Sequence, residues 1–97
     1  MTLYLAPHSI TTSLTAECAE HLLRRPEPAW QLSWHPDRLL TYEQASAAME
    51  LTELICALPC VSEAAWQRAH ALADELRIDL EQACETLRGR RAERGEL

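Results

Sequence analysis

The cysteine and histidine side chains are the groups in this sequence whose types and spacing are best suited to chemistry. Cys18 and His21 lie three residues apart, and Cys56 and Cys60 lie four apart, so each pair would share one face of a helix. Together with Cys84 they could in principle converge on zinc. Structural zinc sites are, however, typically built from C-x2-C pairs on turns, and the sequence has none. Small apolar thiols in a helical core are the preferred interpretation, and no metal or cofactor is predicted.

Nucleophilic catalysis by a cysteine requires a partly exposed thiolate with a histidine base beside it. The histidines His21, His35 and His70 are available, but nothing in their spacing places one of them beside a cysteine. We therefore predict no catalytic residue and expect a protein that is not an enzyme.

A pair of acidic residues, Glu50 and Glu53, suggests metal chemistry of a different kind. This E-x-x-E pair, followed by the segment 73–83, resembles the all-helical nucleotide pyrophosphatases, whose E-x-x-E and later E-x-x-D helices hold magnesium around a triphosphate. The resemblance implies magnesium-dependent hydrolysis, but Cys60 and Glu63 stand near the positions where the second pair of acids is needed. A solvated acidic stripe is the preferred interpretation.

The segment 72–87, LADELRIDLEQACETL, resembles the helix-turn-helix of many bacterial regulators, because two capped helices meet there at a short turn. Arg77 replaces the usual glycine of the turn, and the outer face of the second helix is acidic where phosphates would require Lys or Arg. A plain helical hairpin is the alternative interpretation. The residues that would contact DNA are Glu81, Gln82, Arg88, Arg90 and Arg91.

Large apolar residues alternate with small polar ones from Trp30 to Trp34, which is the pattern of a half-buried strand. Two interpretations remain open for these aromatic side chains. They form either the main buried anchor of the domain or a partly exposed patch that binds a protein, since Trp and Tyr are frequent at interface hot spots. A free sheet edge would also allow a homodimer. The interface candidates are Trp30, Leu32, Trp34, Tyr42, Glu43, Glu50 and Glu53.

The segment SWHPDRLLTYEQA, residues 33–45, together with the alanine-rich stretch after it, resembles a segment of small uncharacterised actinobacterial and actinophage proteins. Those proteins carry S-W-x-P-x-R-x-L-T/D-x-x-Q-A before an alanine-rich helix. The resemblance covers residues 30–58 and implies a bacterial or phage origin, without implying any catalytic activity. Arg38 and Gln44, the polar positions of the pattern, both have structural roles as turn and capping residues.

The composition is that of one folded domain of 97 residues, with 47% hydrophobic residues and a formal charge of -6. The acidic balance opposes general binding to nucleic acid, which depends on Lys and Arg. No stretch reaches the length of a membrane span, and the first ten residues lack the features of a signal peptide. We therefore expect a cytoplasmic protein with reduced cysteines.

Periodicity and turn residues divide the chain into short elements. Residues 3–6 are consistent with a brief strand, and residues 14–25 show helical spacing until Pro26. Residues 30–40 predict an antiparallel hairpin that turns at His35 to Arg38, so that Leu39 and Leu40 pair with Ser33 and Trp34.

Three further helices follow the hairpin. Thr41 and Gln44 form a capping box at the start of an apolar helix that ends before Pro59. Ser62 caps the next helix, and Asp79 caps the last, which we expect to end at Gly89.

These elements predict an α+β fold that is mostly helical, with four helices around a central helix at about 41–58. A small antiparallel hairpin at about 30–40 completes it, with residues 3–6 as a candidate third strand. Residues 1–89 form the single domain, and residues 90–97 form a mobile charged tail. The expected function is a small acidic cytoplasmic protein-binding module that can self-associate. A DNA-binding regulator and a divergent pyrophosphatase-like protein are the alternatives.

Overall fold

The computed structural model describes residues 3–57 and 62–95 and has an α+β architecture in which five short strands precede three helices. The strands form one antiparallel sheet in which each strand pairs with its neighbour in sequence, in the order β1-β2-β3-β4-β5. The elements are β1 (Leu3–Ala6), β2 (Ser9–Thr12), β3 (Ala19–His21), β4 (Trp30–Leu32), β5 (His35–Leu40), α1 (Tyr42–Cys56), α2 (Glu63–Leu76) and α3 (Leu80–Glu93).

The register of the sheet gives it one apolar face. Ile10 pairs with Ala19, which pairs with Leu32, and none of these three side chains is exposed to solvent. Residues directly opposite each other in an antiparallel sheet point to the same face, so this row marks the face that the helices cover. Glu20 and Gln31, the next pair along, lie on the opposite face and are not buried.

Helix α1 lies between the sheet and the other two helices, since it contacts β2, β4 and β5 as well as α2 and α3. Its start is fixed by a capping box: the Gln44 amide donates to Thr41 Oγ1 at 3.2 Å, and the Thr41 amide donates to the Gln44 side chain at 2.9 Å. Its buried residues are Ala45, Ala48, Met49, Leu51, Thr52, Glu53, Leu54, Ile55 and Cys56. This helix is therefore the centre of the core.

Helices α2 and α3 pack on α1 through one face each. Ser62 caps α2 by accepting a hydrogen bond from the Ala65 amide, and Asp79 caps α3 by accepting hydrogen bonds from the Glu81 and Gln82 amides. Arg77 ends α2 in the left-handed conformation, with φ at 56°. No helix within the described ranges combines the length and apolarity needed to cross a membrane.

The predicted arrangement of four helices around a central helix with a small hairpin is wrong, because the structure has three helices and a five-stranded antiparallel sheet. The helix predicted over residues 14–25 is replaced by β3 and the connections on either side of it. The apolar spacing that suggested a helix does not match the burial: Leu14 is exposed, whereas Ala19 is completely buried between β2 and β4.

The predicted turn of the hairpin is also wrong. The chain turns at Ser33 and Trp34, so that Leu40 pairs with Trp30 and β5 begins at His35. The residue Pro36, which suggested the turn, lies inside β5, where it is tolerated because β5 is an edge strand.

The pairing of one strand and the end of one helix also differ from the prediction. Residues 3–6 form a strand, but that strand pairs with β2 and lies at the opposite edge of the sheet from β5. Helix α3 passes through Gly89 and continues to Glu93, so the end predicted at Gly89 is wrong. Leu58, the predicted last residue of the central helix, lies outside the described residues. The mobility of residues 90–97 stays a prediction.

Candidate functional site

The three apolar candidates of the Trp30 to Trp34 segment lie in the core. Trp30, Leu32 and Trp34 are 3%, 0% and 5% exposed. The indole of Trp34 is fixed by a hydrogen bond, since Nε1 donates to Thr52 Oγ1 at 2.9 Å, and that hydroxyl donates to the Ala48 carbonyl at 2.7 Å. These side chains therefore anchor the sheet on α1 and are not available as a docking surface.

Tyr42 and His8 are the two exposed members of a row of rings at one end of the sheet. Its ring meets Trp30 edge-on with centroids 5.4 Å apart, Trp30 contacts His21 at 5.3 Å, and His21 stacks on His8 at 5.7 Å. Nδ1 of His21 is buried and has no hydrogen-bond partner among the described residues. The row packs the first residue of α1 against β3 and β4, and Tyr42 is 39% exposed at its end.

The acidic candidates on α1 do not form one solvated stripe. Glu43 is exposed, Glu50 binds Arg68 on α2 through two hydrogen bonds of 2.8 and 3.1 Å, and Glu53 is 2% exposed. Because Glu50 is paired with Arg68 and Glu53 is buried, the two carboxylates do not form a shared solvated acidic surface. Among the described residues, no group of three or more His, Cys, Asp or Glu side chains is arranged to hold a metal ion.

Glu17 belongs to no sequence motif, yet its carboxylate is the most heavily hydrogen-bonded one in the described structure. Glu17 is 1% exposed and accepts hydrogen bonds from Ser33 Oγ at 2.6 Å, from Arg90 Nε at 2.7 Å and from Arg94 Nη1 at 2.6 Å. Burial raises the pKa of this carboxyl, but the three donors together lower it further, so the net shift is downward. The i, i+4 spacing of Arg90 and Arg94 is a weak sequence signal for a shared partner.

This cluster affects the DNA-binding alternative. Arg90 binds Glu17, and Arg91 Nη1 donates to the Cys56 carbonyl at 2.9 Å, so two arginines assigned to phosphates make contacts within the chain. Glu81, Gln82 and Arg88 are exposed on α3. The surface of α3 that would face DNA therefore exposes acidic side chains, whereas two of its arginines are bound to other parts of the chain.

The cysteines of the described structure are not activated for nucleophilic chemistry. Cys18, Cys56 and Cys84 are free thiols, and burial is the main cause that raises the pKa of each of them. At Cys18 the neighbouring Glu20 raises the pKa further. A raised pKa leaves little thiolate at neutral pH, so these side chains behave as small apolar groups. Cys60 lies outside the described residues.

A shallow groove of about 270 Å³ lies where the turn between α2 and α3 meets the start of β5. Its volume is just below the range of about 300 to 1,000 Å³ that ligand pockets usually have. Asp79, the acidic residue of its lining, already caps α3. The groove is lined by Trp34, His35, Arg77, Ile78, Asp79, Gln82, Ala83 and Thr86.

The two edge strands of the sheet differ sharply in their side chains. On β5, Pro36 removes a backbone donor and Asp37 places an exposed charge on the edge, which are the devices by which proteins prevent edge pairing. On β1, Tyr4 and Leu5 are 56% and 59% exposed. Residues 3–16 contain no Asp, Glu, Lys or Arg. Strand β1 therefore lacks the protection that β5 has.

The backbone of β1 leaves two residues with hydrogen-bonding groups that do not face β2. The pair Ala6 and Ser9 flanks the two-residue turn of the first hairpin. Such a pair exchanges both hydrogen bonds, and the pattern then alternates along the strands, so Tyr4 also bonds to β2. Leu3 and Leu5 direct their N–H and C=O groups away from it. We call this surface, the outward backbone of Leu3–Ala6 with the side chains of Tyr4 and Leu5, the β1 edge.

Comparison of the chain with protein-family models, with curated proteins and with solved structures found no match.

Proposed function

We propose that this protein is a non-enzymatic protein-binding module that binds an extended segment of a protein along the β1 edge. The observation that carries the proposal is the contrast between the two edges: β5 is protected by Pro36 and Asp37, whereas β1 exposes Tyr4 and Leu5 without a charge. Adding a strand to a free edge is a common way to bind a peptide, because backbone hydrogen bonds supply affinity for an extended chain.

The side chains of β1 determine what kind of segment fits. Leu3 and Leu5 point to the face that carries the helices, as Ile10 does opposite Leu5, and Tyr4 points to the other face. A bound strand would therefore place apolar residues beside the leucines on one face and an aromatic or aliphatic residue beside Tyr4 on the other. An uncharged, alternating apolar strand is the class of ligand expected.

The non-enzymatic part of the proposal is supported by the state of the reactive groups. The carboxylate of Glu17 is fully engaged by Ser33 and two arginines, and burial keeps the described thiols protonated. We further propose a cytoplasmic location in a bacterial or phage-infected cell. The free state of Cys18, Cys56 and Cys84 supports it, because reduced thiols are typical of that compartment.

The test uses two leucines of nearly equal exposure. Leu5 on β1 is 59% exposed, and Leu23 in the connection between β3 and β4 is 61% exposed. Leu5→Lys places a charge on the edge, while Leu23→Lys makes the same chemical change outside the strands. Immobilised wild type and both variants, each shown to be folded by circular dichroism, are exposed to lysate of the source cell, and captured proteins are quantified by mass spectrometry.

We expect wild type and Leu23→Lys to retain the same proteins, and Leu5→Lys to lose them by about tenfold or more, which corresponds to about 1.4 kcal/mol. Hydrogen exchange on the complex supplies the structural readout, since the outward amides of Leu3 and Leu5 should become protected on binding. Identical capture by all three proteins, or binding that leaves these two amides unprotected, contradicts the proposal.

A further inference from the structure

We infer that the segment bound at the β1 edge is β1 of a second copy of this chain, so that two copies form a symmetric dimer with a continuous ten-stranded sheet. This inference rests on the proposed function and names its partner. Three observations carry it: the register that the side chains of β1 allow, the direction of its backbone groups, and the distribution of charge along the chain.

The alternation of β1 is complementary to itself. Two antiparallel strands related by a two-fold axis perpendicular to the sheet keep the same faces on the same side, so opposing residues must belong to the same face. An axis at Tyr4 places Tyr4 opposite Tyr4 of the second copy, and Leu3 opposite Leu5 of the second copy. The leucines then meet on the face that carries the helices, and the tyrosines meet on the other face.

The backbone groups fit the same register. Leu3 and Leu5 direct their N–H and C=O groups outward, so each Leu3–Leu5 pair across the axis exchanges two bonds, giving about four backbone hydrogen bonds in the dimer. An axis at Leu5 would instead place Leu3 opposite Pro7, which has no N–H to donate. The register centred on Tyr4 is therefore the better of the two.

Charge favours self-association at β1 over the opposite edge. The chain carries a formal charge of -6, so two copies repel each other wherever their acidic surfaces meet. Residues 3–16 carry no Asp, Glu, Lys or Arg. A symmetric contact along β5 would bring Asp37 close to Asp37 of the second copy. It would also have fewer backbone hydrogen bonds, because Pro36 has no N–H to donate.

The expected dimer is weak, because the pairing strand is only four residues long. Tyr4, Leu5 and the 39% exposed Leu14 supply the exposed apolar side chains of this hairpin and the connection after it. Such a contact belongs to the small, transient class of interfaces, for which dissociation constants of about micromolar to millimolar are expected.

The first experiment traps the predicted register. In a non-hydrogen-bonded antiparallel pair the Cα atoms lie about 4.5 Å apart, within the range of about 4.4 to 6.8 Å that a disulfide spans. Tyr4→Cys should therefore form a disulfide-linked dimer under mild oxidation. Thr11→Cys is the matched control, because Thr11 is opposite Tyr4 on β2, is exposed and points to the same face.

Across the predicted dimer the two Thr11 positions are separated by three strand spacings, about 14 Å in total, which a disulfide cannot span. We expect the Tyr4→Cys dimer to form at least about ten times faster than any dimer of Thr11→Cys. Peptide mass mapping without reduction should show the two introduced thiols joined to each other. Equal rates for the two variants, or linkage only through the native cysteines, overturns the register.

The second experiment measures the association itself by sedimentation of the wild-type chain over a range of concentrations up to about the millimolar limit of the expected affinity. Leu5→Lys adds a charge to the strand, and Leu5→Pro removes an outward N–H without removing a bond to β2. Both should weaken dimerisation about tenfold or more, while Leu23→Lys should not. Circular dichroism of each variant verifies that the fold is retained.

The outcomes separate this inference from the proposed function. A wild-type chain that stays monomeric at the highest concentration overturns the dimer, and if Leu5→Lys still abolishes capture of another protein, the β1 edge binds a different partner. If neither association nor capture responds to Leu5→Lys, the β1 edge is not a binding surface and both proposals fail.

Discussion

The carboxylate of Glu17 and the guanidinium of Arg94 are 2.6 Å apart, although 77 residues separate them in the sequence. Arg90, one turn earlier on α3, donates to the same carboxylate oxygen at 2.7 Å, and Ser33 holds the other oxygen. The connection between β2 and β3 is thereby tied to the last turn of α3. A buried carboxylate with three donors stabilises the attachment of the end of this helix to the sheet.

Glu17→Gln is expected to lower the free energy of unfolding by about 2 to 4 kcal/mol. Removing one partner of a buried pair costs about 3 to 5 kcal/mol, and we reduce that range because the side chains of Arg90 and Arg94 are 40% and 27% exposed. Urea unfolding measures the change. Glu20→Gln, an exposed carboxylate three residues away on β3, is the control and should change stability by less than about 0.5 kcal/mol. Equal effects of both substitutions would contradict the role of Glu17.

The same carboxylate makes stability depend on pH in the acidic range. The pKa of Glu17 is lower in the folded protein than the ordinary value of about 4.3. Its contribution is therefore fully present above the ordinary value and is lost as the pH falls through the lower folded pKa. The difference in unfolding free energy between wild type and Glu17→Gln should stay constant from about pH 7 to 5 and shrink below about pH 4. A difference that does not change down to about pH 2.5 would show that the folded pKa is not the cause.

The parts of the fold that the sequence predicts best are those decided by neighbouring residues. Thr41 and Gln44, Ser62 and Asp79 each form hydrogen bonds two or three residues away, so the starts of all three helices follow from local sequence. Sheet pairing is not local in this sense. Strand β3 has three residues, and its partners in β2 and β4 are fixed by contacts that no periodicity in so short a segment reveals.

The candidate site, too, has features that the local sequence predicts and features that depend on the pairing of distant strands. The sequence already indicates that residues 3–6 form a strand and that the first sixteen residues carry no Asp, Glu, Lys or Arg. That this strand lies at a free edge follows from the order of the sheet, which depends on β2 and β3. The aromatic side chains of Trp30 and Trp34, which the sequence makes interface candidates, are buried because α1 covers the face to which they point.

Trp34→Phe is expected to lower the free energy of unfolding by about 1 to 3 kcal/mol, because it leaves a small gap and removes the donor to Thr52. Trp66→Phe on α2 makes the same change at a side chain that is 36% exposed and should cost less than about 0.5 kcal/mol.

Thermal or urea unfolding of Trp34→Phe and Trp66→Phe measures the two losses in free energy of unfolding. The double variant Trp34→Phe with Thr52→Val should lose less free energy of unfolding than the sum of the two single variants. In the double variant both partners of the indole hydrogen bond are removed, so neither is left buried without the other. Additive costs would indicate that the indole hydrogen bond does not couple the two residues.

Arg77→Gly is expected to stabilise the protein, by about 0.5 to 1 kcal/mol. Arg77 ends α2 with φ at 56°, a left-handed conformation that costs a residue with a Cβ atom about 1 kcal/mol and that glycine adopts freely. The Arg77 amide bonds to the Ala73 and Asp74 carbonyls through the backbone, so glycine keeps these bonds. Arg88→Gly, at an exposed position with helical conformation in α3, is the matched control and should destabilise by about 1 kcal/mol. If the backbone conformation determines the effect, urea unfolding should show a higher free energy of unfolding for Arg77→Gly and a lower one for Arg88→Gly. A loss of stability in both would show that the side chain of Arg77 makes contacts that outweigh the relief of its backbone.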